Sequence, residues 1–138
     1  MQPAEIDVTL RNAGLRVTQQ RRTIVATLLD SDDHPNAEDV FHRAREADDS
    51  LSVATVYRTL STLADAGIVQ RVAVDDGPAR FEICPETDHD HLVDVDTGEV
   101  VELVSADLMD LRRRLAAELG YEIVGHHSVL RVRRVEPD

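Results

Sequence analysis

The pattern of apolar and polar positions is most regular between residues 51 and 67, where it predicts one helix. Ser52 is placed to accept a backbone N–H of the first turn as an N-cap. Gly67 stands where a helix needs a left-handed residue to end. The positions that recur at helical spacing and should face a core are Val53, Val56, Leu60 and Leu63.

The other side of this helix carries small and hydroxylated residues around a single long cation. These residues are Ala54, Thr55, Arg58, Ser61 and Thr62, with Tyr57 at the edge. Such a face can enter a DNA major groove, where arginine pairs with guanine and small or aromatic groups meet thymine methyls. An ordinary solvent-facing helix carries the same pattern, so the neighbouring elements have to distinguish the two.

Two longer helices, and a short leading one over residues 5–13, are predicted before it. Thr18 can cap a helix that runs to about Asp30, with Ile24, Val25, Leu28 and Leu29 as its apolar stripe. Asn36 can cap the next helix, with Ala37, Val40, Phe41 and Ala44 on its apolar side.

Two strand-like runs follow, residues 68–74 and 79–83, joined by Asp75-Asp76-Gly77-Pro78, whose residue types favour a turn. Two helices, a recognition helix and a β-hairpin make up a winged helix-turn-helix, a DNA-binding layout. We therefore assign residues 1–84 to a winged-helix domain and residues 85–90 to a hinge.

Residues 91–138 are predicted to form a small α/β domain, which makes the fold class α+β. Strands over residues 91–95 and 99–104 flank a Thr97-Gly98 turn. Ser105 caps a helix with a row of leucines: Leu108, Leu111, Leu115 and Leu119.

Residues 121–135 alternate as a long last strand. A β-β-α-β unit of this size buries little of its surface by itself. Pairing with a second copy would cover it, so we interpret this domain as a dimerisation domain and expect a homodimer.

The composition restricts the class of protein. The net charge of −12 argues against a non-specific nucleic-acid binder, and all 15 basic side chains are arginines. A DNA-binding function therefore requires cations placed locally. Cys84 is the only cysteine, which excludes a disulfide framework and a cysteine-rich zinc site. No run resembles a membrane span or a signal peptide, so we expect a cytoplasmic protein without a membrane partner.

The densest candidate chemistry is Asp88-His89-Asp90-His91. In an extended chain His89 and His91 point the same way. A two-residue Thr97-Gly98 turn would put Glu102 on their face, diagonally across from His91. Two imidazoles and a carboxylate suit Fe(II), Mn(II), Zn(II) or Co(II). A solvated linker has the same composition, and spacing alone also leaves His34 and His126 as ordinary surface or strand residues.

Several runs together resemble the ferric uptake regulator (Fur) family over nearly the whole chain, in order and with few gaps. They are Gly14-Leu15-Arg16-Val17-Thr18, Asn36-Ala37-Glu38-Asp39-Val40, Ala54-Thr55-Val56-Tyr57-Arg58-Thr59-Leu60, Ala66-Gly67-Ile68-Val69, Arg80-Phe81-Glu82 and His89-Asp90-His91-Leu92. The resemblance implies a metal-dependent, dimeric transcription regulator rather than an enzyme.

The resemblance also implies roles for individual residues. Tyr57 and Arg58, with Thr55 beside them, would contact bases in the major groove of a palindromic operator, and Arg16 would enter the minor groove. One regulatory divalent metal per subunit would use His34, Glu82, His89 and His91, with Glu102 as a fifth ligand. In the cell the metal would be Fe(II) or Mn(II), and Zn(II) could substitute in vitro.

The chain departs from the family at two sites. Many members carry a Cys-x-x-Cys structural zinc site where this chain has Asp94 and Thr97, so that zinc is not expected. A second family site uses residues matching Asp88, Asp90 and His126 and a glutamate that falls on Met109 here. Asp90 and His126 could then hold at most a weak second ion.

Metal binding is expected to activate repression of metal-uptake genes. Glu82 in place of Asp resembles the iron- or manganese-responsive branch rather than the peroxide-sensing one. The alternatives are a zinc-, haem- or peroxide-responsive member, a constitutive DNA-binding protein with a structural metal, and a metallohydrolase that uses the His/Asp cluster. No nucleophile motif accompanies that cluster.

Overall fold

The computed structural model describes residues 1–74, 77–84, 89–126 and 128–136. The chain divides into two units, Met1–Cys84 and Pro85–Asp138. The turn predicted at residues 75–78 lies partly outside the described residues, and the hinge predicted at residues 85–90 lies mostly outside them. Among the helices that the structure describes, none is long and apolar enough to cross a membrane.

Within its described part, the first unit contains four helices and a two-stranded hairpin. In order they are a 3-10 turn at Pro3–Glu5, α1 (Ile6–Asn12), α2 (Gln19–Asp30), α3 (Ala37–Ala44), α4 (Val53–Asp65), β1 (Val69–Val72) and β2 (Arg80–Ile83). Thr18, Asn36 and Ser52 each accept a first-turn backbone N–H, which confirms the three predicted N-caps. Gly67 takes φ +79° after α4, as a helix stop requires.

One apolar cluster holds these elements together. The helices and the hairpin contribute buried side chains to it, among them Leu10, Ile24, Val25, Leu28, Val40, Val56, Leu60, Leu63 and Phe81. Strand β1 pairs antiparallel with β2, from Val69 opposite Ile83 to Val72 opposite Arg80. The hairpin thereby follows directly on α4 as the wing of the predicted winged helix.

One core prediction for α4 is wrong. Val53 is 38% exposed, whereas Leu51, just before the N-cap, is buried together with Val56. The residue before an N-cap often packs on the fourth helical residue as a hydrophobic staple. Here Leu51 takes that inward position, which leaves Val53, in the first turn, on the outer side.

The described residues of the second unit form a three-stranded sheet with one helix. Its elements are β3 (Asp90–Asp94), β4 (Val100–Leu103), α5 (Ala106–Glu118) and β5 (Val129–Val132). Strand β3 is central, antiparallel to β4 and parallel to β5. Ser105 caps α5 by accepting the backbone N–H of Leu108, as predicted.

The hairpin between β3 and β4 differs from the predicted two-residue turn. The Asp94 N–H donates to the carbonyl of Glu99, so residues 95–98 form a four-residue loop. The Asp94 carboxylate accepts from the backbone N–H of Asp96 and Thr97, and Gly98 takes φ +77°. These bonds stabilise the longer loop and move the register by two residues, so the same side chains stay on the same face.

The predicted long last strand is also shorter than expected. Only Val129–Val132 pairs with β3, although alternation in the sequence extends over residues 121–135. A strand requires a neighbour for its backbone groups, and β3 is only five residues long. Just outside this run the Ser128 carbonyl still accepts the His91 N–H, and among the described residues 121–126 and 133–135 no further register pair with β3 is found.

Candidate functional site

The outward face of α4 carries the predicted DNA-contacting side chains. Tyr57 and Arg58 are exposed, and Thr55 is half-buried at the first turn. The Arg58 Nη2 donates to Thr55 Oγ1 at 3.3 Å, so the guanidinium lies along the N-terminal half of the helix. This end of a recognition helix is the one that usually contacts base edges.

Arg16 lies beside the same helix, in the segment before α2. Arg16, Thr55 and Arg58 line one open cleft together with Arg21. The Arg21 Nη1 donates to the Arg16 carbonyl at 2.8 Å, which fixes that segment near the cleft. Sequence reasoning missed Arg21, although its position in the first turn of α2, three residues after the Thr18 cap, could have indicated an outward side chain.

The wing adds another cation that sequence reasoning missed. Arg71 on β1 donates from Nη2 to Ser61 Oγ on α4 at 3.2 Å. The charge around the helix is locally positive, because residues 8–29 contain four arginines and no acidic residue, and residues 50–64 contain only Arg58 among charged residues. This local arrangement resolves the conflict between DNA binding and a net charge of −12.

The first unit brings His34 and Glu82 together. His34 Nε2 lies 2.9 Å from Glu82 Oε2, and each side chain is 10% exposed. Two hydrogen bonds hold the loop of His34 against strand β2: the backbone N–H of Phe81 donates to the Pro35 carbonyl, and the side-chain Nη1 of Arg80 donates to the His34 carbonyl. The two predicted ligands are therefore placed by the fold of this unit.

A second contact stabilises the loop that carries His34. Arg43 on α3 donates to both carboxylate oxygens of Asp33 at 2.8 Å and to Ser31 Oγ at 3.0 Å. The hydrogen bonds from Arg43 lower the pKa of Asp33, so this carboxylate stays ionised and bound. The residue before His34 is thus fixed to a helix.

The second unit brings His89, His91 and Glu102 together. The His89 and His91 Nε2 atoms are 3.1 Å apart, and both side chains are buried. Glu102 is directly opposite His91 in the β3–β4 ladder, and its Oε1 lies 3.5 Å from His89 Nε2. The expected diagonal placement of Glu102 is corrected to a direct one by the four-residue loop.

Both sets offer nitrogen and oxygen donors. Cys84 follows β2, but burial and the nearby Glu82 raise the pKa of its thiol. The thiolate, rather than the thiol, is the form that binds metal. The donor chemistry of imidazole and carboxylate fits a divalent ion of the iron, manganese or zinc kind.

Asp90 and His126 are also brought together, and a third side chain contacts both. Asp90 is 1% exposed, and the Arg112 guanidinium donates to its two oxygens at 2.9 and 3.1 Å. The Arg112 Nη1 also lies 2.8 Å from His126 Nε2. These bonds lower the pKa of Asp90. Sequence reasoning missed Arg112, the first of three consecutive arginines, which lies three residues after the buried Met109.

A winged-helix unit with an arginine-bearing helix, followed by a unit with histidine and carboxylate ligands, defines a class: transcription regulators that bind DNA and a metal ion. The chain belongs to the ferric uptake regulator family, which it matches over residues 12–131. The predicted family membership and the α+β fold are thereby confirmed.

Similar proteins include the ferric uptake regulation protein of Brucella abortus, 43% identical over 127 residues, which cover 92% of this chain and 90% of that protein. A solved structure of the ferric uptake regulator from Pseudomonas aeruginosa with manganese is 39% identical, with a TM-score of 0.87, and the match covers 95% of this chain and 98% of that one. A zinc-bound manganese uptake regulator is also 39% identical, with a TM-score of 0.69 and coverage of 94% and 98%.

Proposed function

We propose that this chain is a metal-dependent, DNA-binding repressor of metal-uptake genes that acts in the cytoplasm as a homodimer and has no enzymatic activity. One observation carries the proposal. The unit with the recognition helix holds His34 beside Glu82, and the other unit holds His89 and His91 beside Glu102. Each unit thus contributes its own set of nitrogen and oxygen ligands of the kind that a divalent ion requires.

The two sets would act as one regulatory site with one ion per subunit. A ligand shifts a conformational equilibrium only by its differential affinity for the two states. An arrangement in which one ion binds the ligands of both units offers that ion more ligands than an arrangement in which it binds those of one unit. Metal binding would therefore favour the first arrangement. That arrangement would fix the spacing of the two recognition helices in the dimer, and hence their fit to a palindromic operator.

Contacts to DNA would come from the cationic surface around α4. Arg58 and Tyr57 would contact base edges in the major groove, with Thr55 next to them. Arg16 would reach the adjacent minor groove. The surrounding arginines would neutralise phosphates despite the acidic character of the rest of the chain.

The dimer would form through the second unit. Across its sheet, Leu92 lies opposite Val101 on one side and Leu130 on the other, and both of these partners are close to half exposed. Helix α5 adds Leu111 and Leu115, and its C-cap adds Leu119; these three are 40 to 77% exposed. Val93 and Met109 are the buried apolar side chains among this unit's described residues, so a second copy would supply the burial that one copy lacks.

Fe(II) or Mn(II) is the proposed physiological metal, with Zn(II) able to substitute in vitro. Similar structures with manganese and with zinc support a site of this chemistry. Sites made of imidazole and carboxylate follow a general affinity order, so selectivity would depend on geometry and on cellular supply. A zinc-responsive regulator is the second candidate, because of the zinc-bound relative. No described contact supports a haem- or peroxide-responsive regulator.

The proposal is tested by titrating DNA binding with metal. A palindromic duplex selected from a random pool in the presence of Mn(II) serves as the probe, and fluorescence anisotropy measures its binding. We expect at least a tenfold gain in affinity with Mn(II) over the same protein in chelator. Equal affinity in both conditions would show a constitutive DNA-binding protein with a structural metal.

A further inference from the structure

The buried ion cluster of the second unit joins three separate segments. Asp90 lies on β3, Arg112 on α5 and His126 in the segment before β5. His126 Nε2 lies 2.9 Å from Asp90 Oδ1, the same oxygen that accepts from Arg112 Nη1. Met109 is buried one turn before Arg112, and its sulfur lies 3.6 Å from Arg112 Nη1. The charged group nearest this carboxylate is therefore a guanidinium supplied by the chain itself.

A fully buried carboxylate needs a cation to remain ionised. A divalent metal ion can supply that charge, and so can arginine. The guanidinium is planar, permanently charged and shaped to donate to both oxygens of a carboxylate. Arg112 meets this requirement with two hydrogen bonds to Asp90.

The guanidinium lies against both Asp90 and His126, whose own side-chain atoms are in direct contact. A metal ion would lie about 2.0–2.2 Å from an oxygen or an imidazole nitrogen. The Arg112 Nη1 is 2.9 Å from Asp90 Oδ1 and 2.8 Å from His126 Nε2, the position from which an ion would reach both. Met109 offers a thioether, which is a poor ligand for Fe(II) or Mn(II). The residues present thus do not fit a second divalent ion while Arg112 is in place.

We propose that Arg112 is a built-in cation that takes the place of a divalent ion in the Asp90–His126 pocket. The guanidinium joins strand β3, helix α5 and the segment before β5 without any metal. It also keeps the pocket from competing with the regulatory site for ions. Replacing Arg112 by a shorter, acidic side chain turns the pocket into a divalent-metal site with Asp90 and His126 as ligands.

The test counts metal ions per chain in the full-length protein by native mass spectrometry and calorimetry with Zn(II), and by the visible absorption bands of Co(II). Arg112→Glu should bind one ion more per chain than the parent protein. Adding His126→Ala to that variant should return the count to the parent's. Arg113→Glu, an equal charge change at the neighbouring exposed position, should leave the count unchanged. These are differences from the parent, so they do not depend on whether the regulatory site functions as proposed.

Stability gives a second measurement. In chelator Arg112→Glu should melt roughly 10 °C below the parent, since a buried carboxylate has lost its cation, and Zn(II) should restore much of the loss. His126→Ala in the parent should bind as many ions as the parent itself. An ion lost from His126→Ala alone would overturn the proposal, because the pocket would then hold metal with Arg112 present. No additional ion in a folded Arg112→Glu would overturn it as well.

Discussion

His34 Nε2 lies 2.9 Å from Oε2 of Glu82, although 48 residues separate the two in the chain. The contact is built by the winged-helix unit itself, through the backbone bond from Phe81 to Pro35 and the bond from Arg80 to the His34 carbonyl. An ion that binds here would not have to order a flexible loop first. The entropy of arranging this pair has already been lost during folding.

The first prediction separates metal binding from activation. His34→Ala should abolish metal-stimulated DNA binding, while metal affinity falls by a smaller factor, because His89, His91 and Glu102 remain as a set. His89→Ala should weaken both properties together. Calorimetric metal titration and operator binding are to be measured on the same protein samples.

His42→Ala is the matched control for that experiment, since it removes an exposed histidine from α3 in the same unit. It should behave as the parent protein. A His34→Ala variant that still responds fully to metal would mean that the His-Asp-His cluster is only a local site of the second unit.

The second prediction concerns the recognition helix. Arg58→Ala should weaken operator binding by about 1–3 kcal/mol and relax the base preference if Arg58 pairs with guanine. Arg16→Ala should weaken binding with a smaller loss of preference. Arg114→Ala removes the same charge from α5 and should leave base preference intact. Unchanged operator affinity in Arg58→Ala would exclude α4 as the recognition helix.

The third prediction concerns the absence of a cysteine-bound zinc. Protein stripped of metal by a chelator should remain a folded dimer, as measured by sedimentation and circular dichroism. Leu115→Asp, which places a charge in the exposed leucine row of α5, serves as the positive control and should sediment as a monomer. Dissociation of the parent protein on mild chelation would reveal a structural metal.

The fourth prediction is a pH dependence. The hydrogen bonds from Arg22 lower the pKa of Asp7, and the pair links α1 to α2. A lowered folded-state pKa contributes stability above the unfolded value, near 3.9, and that contribution is lost as pH falls through the folded value. Asp7→Asn should therefore have a lower urea midpoint at pH 7, and its difference from the parent should shrink towards pH 3.

A double-mutant cycle with Arg22→Gln isolates this pair. The coupling between Asp7→Asn and Arg22→Gln should be present at pH 7 and absent at the lowest pH at which the protein stays folded. A coupling that does not change with pH would mean that the two side chains interact through packing rather than charge.

The sequence predicted the fold well where local chemistry decides it. Thr18, Asn36, Ser52 and Ser105 all cap the helices that they were expected to cap. Local patterns were less informative about ends and registers. The predicted two-residue Thr97-Gly98 turn was wrong because the Asp94 carboxylate stabilises a four-residue loop instead. The turn propensities of two residues do not show that a side chain outside the turn favours the longer loop.

In the candidate site, too, the sequence predicted the local arrangement but not the contacts between distant residues. That His89 and His91 lie on one face follows from strand geometry alone, and the contact between their imidazoles agrees with it. No spacing rule connects His34 to Glu82, since their contact depends on how a loop packs against a strand. Arg112 was missed for a similar reason. The sequence does not show which of three adjacent arginines bonds to the buried Asp90, because that contact depends on how α5 packs against β3.

The loop between β3 and β4 is closed by the Asp94 carboxylate, which accepts the backbone N–H of Asp96 and of Thr97. Asp94 and Thr97 bear no thiol, so the loop itself offers no cysteine to zinc or to an oxidant. A regulator that needed one metal to fold and a second metal to bind DNA would respond to the concentrations of both metals. For the proposed repressor, a loop closed by its own carboxylate would instead make transcription follow the concentration of the regulatory ion alone.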